Sequence, residues 1–134
     1  MTSARDNLLD DDRVARAWLS YHEAEQDCDF WAVERLLQLL STEPQRAWNI
    51  VLGINSLTVA HPLREYLNGV ISAGPLEELI HMHGKWLIGQ IEEQASKDRR
   101  LREQLGHVYL RGDLDADIRE RLIKTLDPQC SCHL

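Results

Sequence analysis

Cysteine is scarce in this 134-residue chain, and the three present, Cys28, Cys130 and Cys132, are odd in number, with two of them separated by one residue. Such spacing is no disulfide framework, and a reducing, cytoplasmic setting is expected. No stretch approaches the roughly 18 uninterrupted apolar residues of a membrane span. Near the N-terminus Arg5 and Asp6 stand where a secretory signal needs an apolar core. The chain also lacks a Gly-rich phosphate loop, a nucleophile elbow, a dinucleotide fingerprint and a His-Glu-x-x-His pattern. No motif therefore names a reaction, and neither a cofactor nor a catalytic residue is assigned.

What is present has globular proportions. Hydrophobic residues make up 43% and charged residues 28%, which fits one compact domain. A core of this size buries roughly two-thirds of the unfolded surface, so neither disulfide nor metal is needed for folding. The expected organisation is an arm over residues 1–9, one helical domain over 10–127 and a tail over 128–134.

The net charge of −7 is unevenly spread, since residues 1–43 hold ten acidic residues against four arginines. A negative field repels phosphate backbones and anionic lipid and speeds association with basic protein surfaces. Nucleic acid and membrane are therefore not expected as partners. Lys97, Arg99, Arg100, Arg102 and Arg111 run against this trend, but Asp98 and Glu103 lie among them, as on a solvated helix face.

Apolar residues recur at helical spacing and nowhere alternate as in half-buried strands, so the expected fold is all-α. Helices are predicted over about 10–27 (Val14, Trp18, Tyr21) and 29–40, the latter capped by Asp29. A third follows a Thr42/Gln45 capping box with Pro44 in its first turn. A fourth carries Leu63, Tyr66, Leu67, Val70 and Ile71. Gly74-Pro75 then separates it from a short fifth helix ending at Gly84. Lys85 opens a sixth, Asp98 caps a seventh, and Asp113 caps a last one with Leu114, Ile118, Leu122 and Leu126. Short connections predict about eight helices stacked as antiparallel hairpins, an arrangement that shades into helical-repeat architecture without an internal repeat to define one.

Chemistry-bearing residues concentrate in Gly74-Pro75-Leu76-Glu77-Glu78-Leu79-Ile80-His81-Met82-His83-Gly84. Glu77 and His81 share a helix face, so a carboxylate could orient the imidazole or both could approach a metal. His83 points nearly opposite, and the three converge only if the helix unwinds before Gly84. The same letters also describe an ordinary helix boundary. Glu92 and His107 could join such a cluster only through tertiary proximity. Cys28, Cys130, Cys132 and His133 form a weak three-cysteine, one-histidine zinc set, one tail and one remote residue rather than two spaced pairs. Asp27 and Asp29 beside Cys28 oppose thiolate formation.

In order along the chain, Asp29-Phe30-Trp31-Ala32-Val33-Glu34-Arg35-Leu36, Pro44 with Ala47-Trp48, Gly74-Pro75-Leu76-Glu77, His83-Gly84, and Ile91-Glu92 with Ala95 and Asp98 resemble a family of small bacterial proteins catalogued as a domain of unknown function. The resemblance covers about residues 14–105. It implies a bacterial, cytoplasmic, helical protein and carries over no reaction. Trp31, Glu34, Trp48, Gly74, Pro75, Glu77, His83, Gly84 and Glu92 match its pattern and are candidates for a shared site or a shared scaffold.

The leading expectation is a non-enzymatic interaction module, of the immunity or antitoxin kind, that binds a basic protein through Asp10, Asp11, Glu23 and Glu25. The rival is a metal-assisted or acid–base enzyme built on Glu77, His81 and His83. A third is self-association through an apolar helix face such as that of the last helix.

Overall fold

The structure is a computed structural model that describes residues 4–24 and 27–126. Among the described residues there is no strand, and the all-α expectation holds. Helix α1 spans Ala4–Ala24, a 3-10 turn Asp27–Asp29 leads into α2 (Phe30–Thr42), and α3 spans Pro44–Leu57. Helix α4 covers Arg64–Ile71, a wide turn Ser72–Leu76 leads into α5 (Glu77–Lys97), and α6 (Arg99–Gly106) and α7 (Ala116–Leu126) follow. No helix is long and apolar enough to cross a membrane among the described residues.

Among the described residues six continuous helical stretches are present rather than about eight. The difference arises around the glycines. Gly74 has φ −112° and is not left-handed, and the chain passes through it in a π-type turn that keeps α4 and α5 in one stretch. Gly84 does not end a helix either. It lies inside α5, where only His83 leaves helical geometry, at φ −133° and ψ 19°. An added Cβ on Gly84 would meet Ile118 Cδ1 at 2.9 Å, so the glycine is there for the close approach of α7.

The chain forms two compact units, Met1–Leu67 and Asn68–Leu134, and the boundary falls inside α4. In the first unit α1, α2 and α3 pack against one another. Helical spacing supplies the buried faces: Asp11, Val14, Ala15 and Trp18 on α1, and Ala32, Leu36, Leu39 and Leu40 on α2. Helix α3 buries Ala47, Trp48, Ile50, Val51, Ile54 and Asn55, the broad apolar surface its sequence predicts. In the second unit α5, α6 and α7 pack together, with Leu87, Ile91, Leu101, Leu105, Ile118 and Leu122 in the core. Of the stripe predicted for α4, Leu67 and Ile71 are buried while Leu63 and Tyr66 are exposed.

Caps follow local sequence only in part. Pro44 opens α3, and Asp98 accepts the Leu101 N–H at 3.0 Å at the start of α6, both as expected. Asp29 makes no capping bond to α2, because its carboxylate accepts from the Ser20 hydroxyl at 2.8 Å. The Thr42/Gln45 box does not form either. Thr42 donates back to the Gln38 carbonyl, and Gln45 reaches Asn49 instead. Asp115, not Asp113, caps α7, accepting from Asp117 N–H at 2.9 Å and Ile118 N–H at 3.3 Å. In each case a nearby donor or acceptor outcompetes the predicted one.

A buried polar network crosses the second unit beside the wide turn. Asn68 Oδ1 accepts from Gln104 Nε2 at 2.9 Å and Arg100 Nε at 2.8 Å, and Ser72 Oγ lies 2.8 Å from the carbonyls of Asn68 and Gln104. Buried hydrogen-bonded networks of this kind favour one packing arrangement over its competitors. Nothing in the local sequence marks it, since the bonds joining its two halves, Asn68 with Ser72 and Arg100 with Gln104, span 32 or 36 residues.

Candidate functional site

The polar segment singled out in the sequence lies at the kink of α5 and borders a cavity of about 410 Å³. Ile80, Leu114 and Ile118 give it an apolar lining, with His81, His83, Trp86, Lys85, Arg111, Asp113 and Asp115 around them. His81 and His83 thus come together in one concavity at the point where the helix departs from regular geometry. Glu77 does not line it. Its backbone carbonyl, rather than its carboxylate, meets His81 Nδ1 at 2.9 Å. The expected carboxylate–imidazole pair is therefore replaced by a side chain-to-backbone bond one helical turn away.

Both nitrogens of His81 are engaged, because the Arg111 backbone N–H donates to Nε2 at 3.0 Å. Acceptance at Nε2 requires the proton on Nδ1, where it is donated to the Glu77 carbonyl. The opposite arrangement holds His61 in the first unit. Its Nδ1 accepts the Leu63 N–H at 2.9 Å, and its Nε2 meets Glu23 Oε1 at 2.9 Å, so there the proton sits on Nε2. Long-range 1H–15N correlation spectra near neutral pH should show His81 as the Nδ1–H tautomer and His61 as the Nε2–H tautomer. An Nε2-protonated His81 would remove the clamp on Arg111 from this account.

The remaining candidates disperse. Glu92 receives both Nε and a terminal nitrogen of Arg121 and ties α5 to α7. That bond, first of all, raises the Arg121 pKa, with the Glu92 and Asp117 charges adding to it. His107 caps the end of α6 and is exposed, away from the cavity lining. Trp48 and Pro75 are buried scaffold residues, whereas Glu34 is exposed. Cys28 is a free, exposed thiol, and Cys130, Cys132 and His133 lie outside the described residues. Among the described residues no group of three His, Cys, Asp or Glu could hold a metal ion.

On the acidic side, three of the expected partner-binding carboxylates, Asp10, Asp11 and Glu23, have partners within the protein. Arg46 on α3 donates to Asp11 from Nε at 3.0 Å and from a terminal nitrogen at 2.8 Å, and that nitrogen also reaches Asp10 at 2.9 Å. Glu43 lies 3.1 Å from its other terminal nitrogen. The Asp11 hydrogen bond is the main cause of a raised Arg46 pKa, opposed by partial burial and assisted by the charges of Asp11, Glu43 and Asp10. Arg35 adds a looser contact to Asp10 at 3.7 Å. Glu23 pairs with His61, and Glu25 lies outside the described residues.

The turn joining α1 to α2 differs from that ion-paired region. Residues 17–34 contain no lysine or arginine and five acids, Glu23, Glu25, Asp27, Asp29 and Glu34. Aromatic rings gather among the described residues of this segment. Trp18 and His22 have ring centroids 4.2 Å apart, Tyr21 and His22 5.2 Å, and Tyr21 and Phe30 5.4 Å. Phe30 is 42% exposed although it opens an amphipathic helix. Nearby, the Arg13 guanidinium stands 4.9 Å from the centroid of the half-buried Trp31 ring, so this surface already seats one cation on an indole. Sequence reasoning placed the partner surface on Asp10, Asp11, Glu23 and Glu25 from the count of charge, without the positions of Arg46 and His61 that meet three of them.

The pattern of a family of unknown function (DUF6869) matches residues 20–130. No curated protein and no solved structure matches the chain.

Proposed function

The chain belongs to that family of unknown function, and we propose that it acts as a protein-interaction module that receives a basic partner on the α1–α2 turn. One observation carries this reading: an exposed aromatic, Phe30, packed at a tilt against Tyr21 in a segment that has carboxylates but no lysine or arginine between residues 17 and 34. Aromatic faces rimmed by carboxylates suit arginine and lysine side chains through cation–π and charge-assisted contacts. A basic toxin, met by this chain as its immunity or antitoxin protein, is the partner class this charge favours.

The test compares capture of basic proteins from native lysate by the tagged parent and by a Glu23→Gln, Asp27→Asn, Glu34→Gln variant. A specific partner should be retained by the parent, lost at least about fivefold between roughly 0.05 and 0.3 M salt, and weakened comparably by the variant or by Phe30→Ala. Equal capture by parent and variant would place the interface elsewhere.

A second reading, acid–base or metal-assisted chemistry at Glu77, His81 and His83, is favoured by the shared cavity at the His83 kink. The engagement of both His81 nitrogens weighs against it. Turnover or metal retention lost on His83→Ala and kept by the α1–α2 variant would move the function there.

A further inference from the structure

The cavity at the α5 kink has features that the partner surface on α1–α2 does not use. Its volume of about 410 Å³ falls in the range of roughly 300–1,000 Å³ typical of small-molecule sites. We propose that it binds a small organic monocarboxylate with an apolar, preferably flat, body.

The argument starts from Arg111. Its backbone is held on both sides: the N–H donates to His81 Nε2 at 3.0 Å, and the carbonyl accepts from the Leu114 N–H at 3.1 Å and from the Arg119 guanidinium. Two side chains are thus spent on placing one exposed residue. The Arg111 guanidinium, in contrast, has no hydrogen-bond or ion-pair partner among the described residues, although Arg111 lines the cavity. A fork of five N–H donors with a fixed backbone beside an apolar lining is suited to bidentate capture of a carboxylate.

The acids present narrow the ligand further. Asp115 is committed, since its Oδ1 caps α7 and its Oδ2 lies 3.7 Å from Lys85 Nζ. Asp113 also lines the cavity and has no such commitment. Its negative charge disfavours a dianion, so a monocarboxylate fits better than a phosphate. Ile80, Leu114 and Ile118 offer contact for an apolar body, and Trp86, 58% exposed at the lining, offers a ring for stacking.

Titration of 15N-labelled protein with phenylacetate, phenylacetamide, phenethylamine and inorganic phosphate tests the site. Phenylacetate should bind saturably with a dissociation constant on the order of 1 mM or tighter, moving amide signals of residues 80–86 and 111–118. The amide and phosphate should bind at least about tenfold more weakly, and Arg111→Gln should weaken phenylacetate by a similar factor. The spectrum of Arg111→Gln outside the cavity should match the parent, because the backbone clamp does not involve the replaced atoms. Tighter binding of phenethylamine, no saturable phenylacetate binding, or unchanged affinity in Arg111→Gln would overturn the proposal. Phe30→Ala should leave phenylacetate binding unaltered, which separates this site from the partner surface.

Discussion

Arg46→Met should lower the unfolding free energy by about 3 kcal/mol in urea titrations, one of the larger losses available to a single residue outside the apolar core. Methionine can follow the aliphatic part of the arginine, so the loss reports the guanidinium rather than the packing. Asp11, at 7% exposure, would keep its carboxylate with no cation to answer it, while Asp10 and Glu43 stand close by. The lone buried charge is the expensive species, and removing one partner of such a pair typically costs about 3–5 kcal/mol when burial is complete. Asp11→Asn keeps the shape and should lose less, about 1.5–3 kcal/mol, the range for a hydrogen bond to a charged group. The raised Arg46 pKa keeps the arginine's side of this contribution in place through the neutral range, and it is lost as pH rises through the folded value in strong alkali. Partial burial also shields the pair from salt, so the difference between parent and variant should persist at about 1 M salt. A difference below about 0.5 kcal/mol that disappears in salt would mark an ordinary surface pair and refute the structural role.

Two glycines of α5 should respond to alanine with opposite signs. Gly89 is exposed, nothing lies within 4 Å of an added Cβ, and Gly89→Ala should stabilise by about 0.5–1 kcal/mol through helix propensity. At Gly84 the added carbon meets Ile118 Cδ1 at 2.9 Å and Cγ2 at 3.3 Å. Overpacking there should outweigh the propensity gain and destabilise by about 1–3 kcal/mol. Ile118→Val removes Cδ1 and should restore part of the loss in the double variant, with a coupling of at least about 0.5 kcal/mol by double-mutant cycle. Equal stabilisation by both alanines would show that α7 yields at no cost and that Gly84 has no packing role.

Much of the fold is legible from local pattern. Val14 with Trp18, Leu36 with Leu40, and Leu101 with Leu105 reveal their helices because 3.6-residue periodicity is a property of neighbours in sequence. Pro44 and Asp98 mark helix starts for similarly local reasons, fixed φ in one case and a side-chain acceptor three residues from its donor in the other. Gly84 misled because two physical situations share one signature. A glycine after histidines looks like a helix end, yet it is also what a closely packed helix pair requires. Asp29 and Thr42 misled in another way, since the expected cap competes with Ser20 on α1 or with a carbonyl of the preceding turn.

The candidate sites divide along the same line. The segment from His81 to Gly84 stood out by composition, and His81 and His83 do share a cavity. Arg111, Asp113 and Asp115, which complete it, lie about thirty residues further on, where nothing local links them to the histidines. The acidic residues of the first unit were likewise visible as a count, but Arg46 is 35 residues from Asp11 and withdraws it from solvent.

By itself, the sequence determines an acidic, all-helical chain, most of its helix positions and the family to which it belongs. Each of these follows from residues close in sequence or from their order. Only the tertiary structure decides that α5 continues through His83, that Glu92 is held by Arg121, and which carboxylates remain on the surface. Those outcomes depend on contacts between helices far apart in the chain, where a few ångströms determine whether a charge meets an internal partner or faces water.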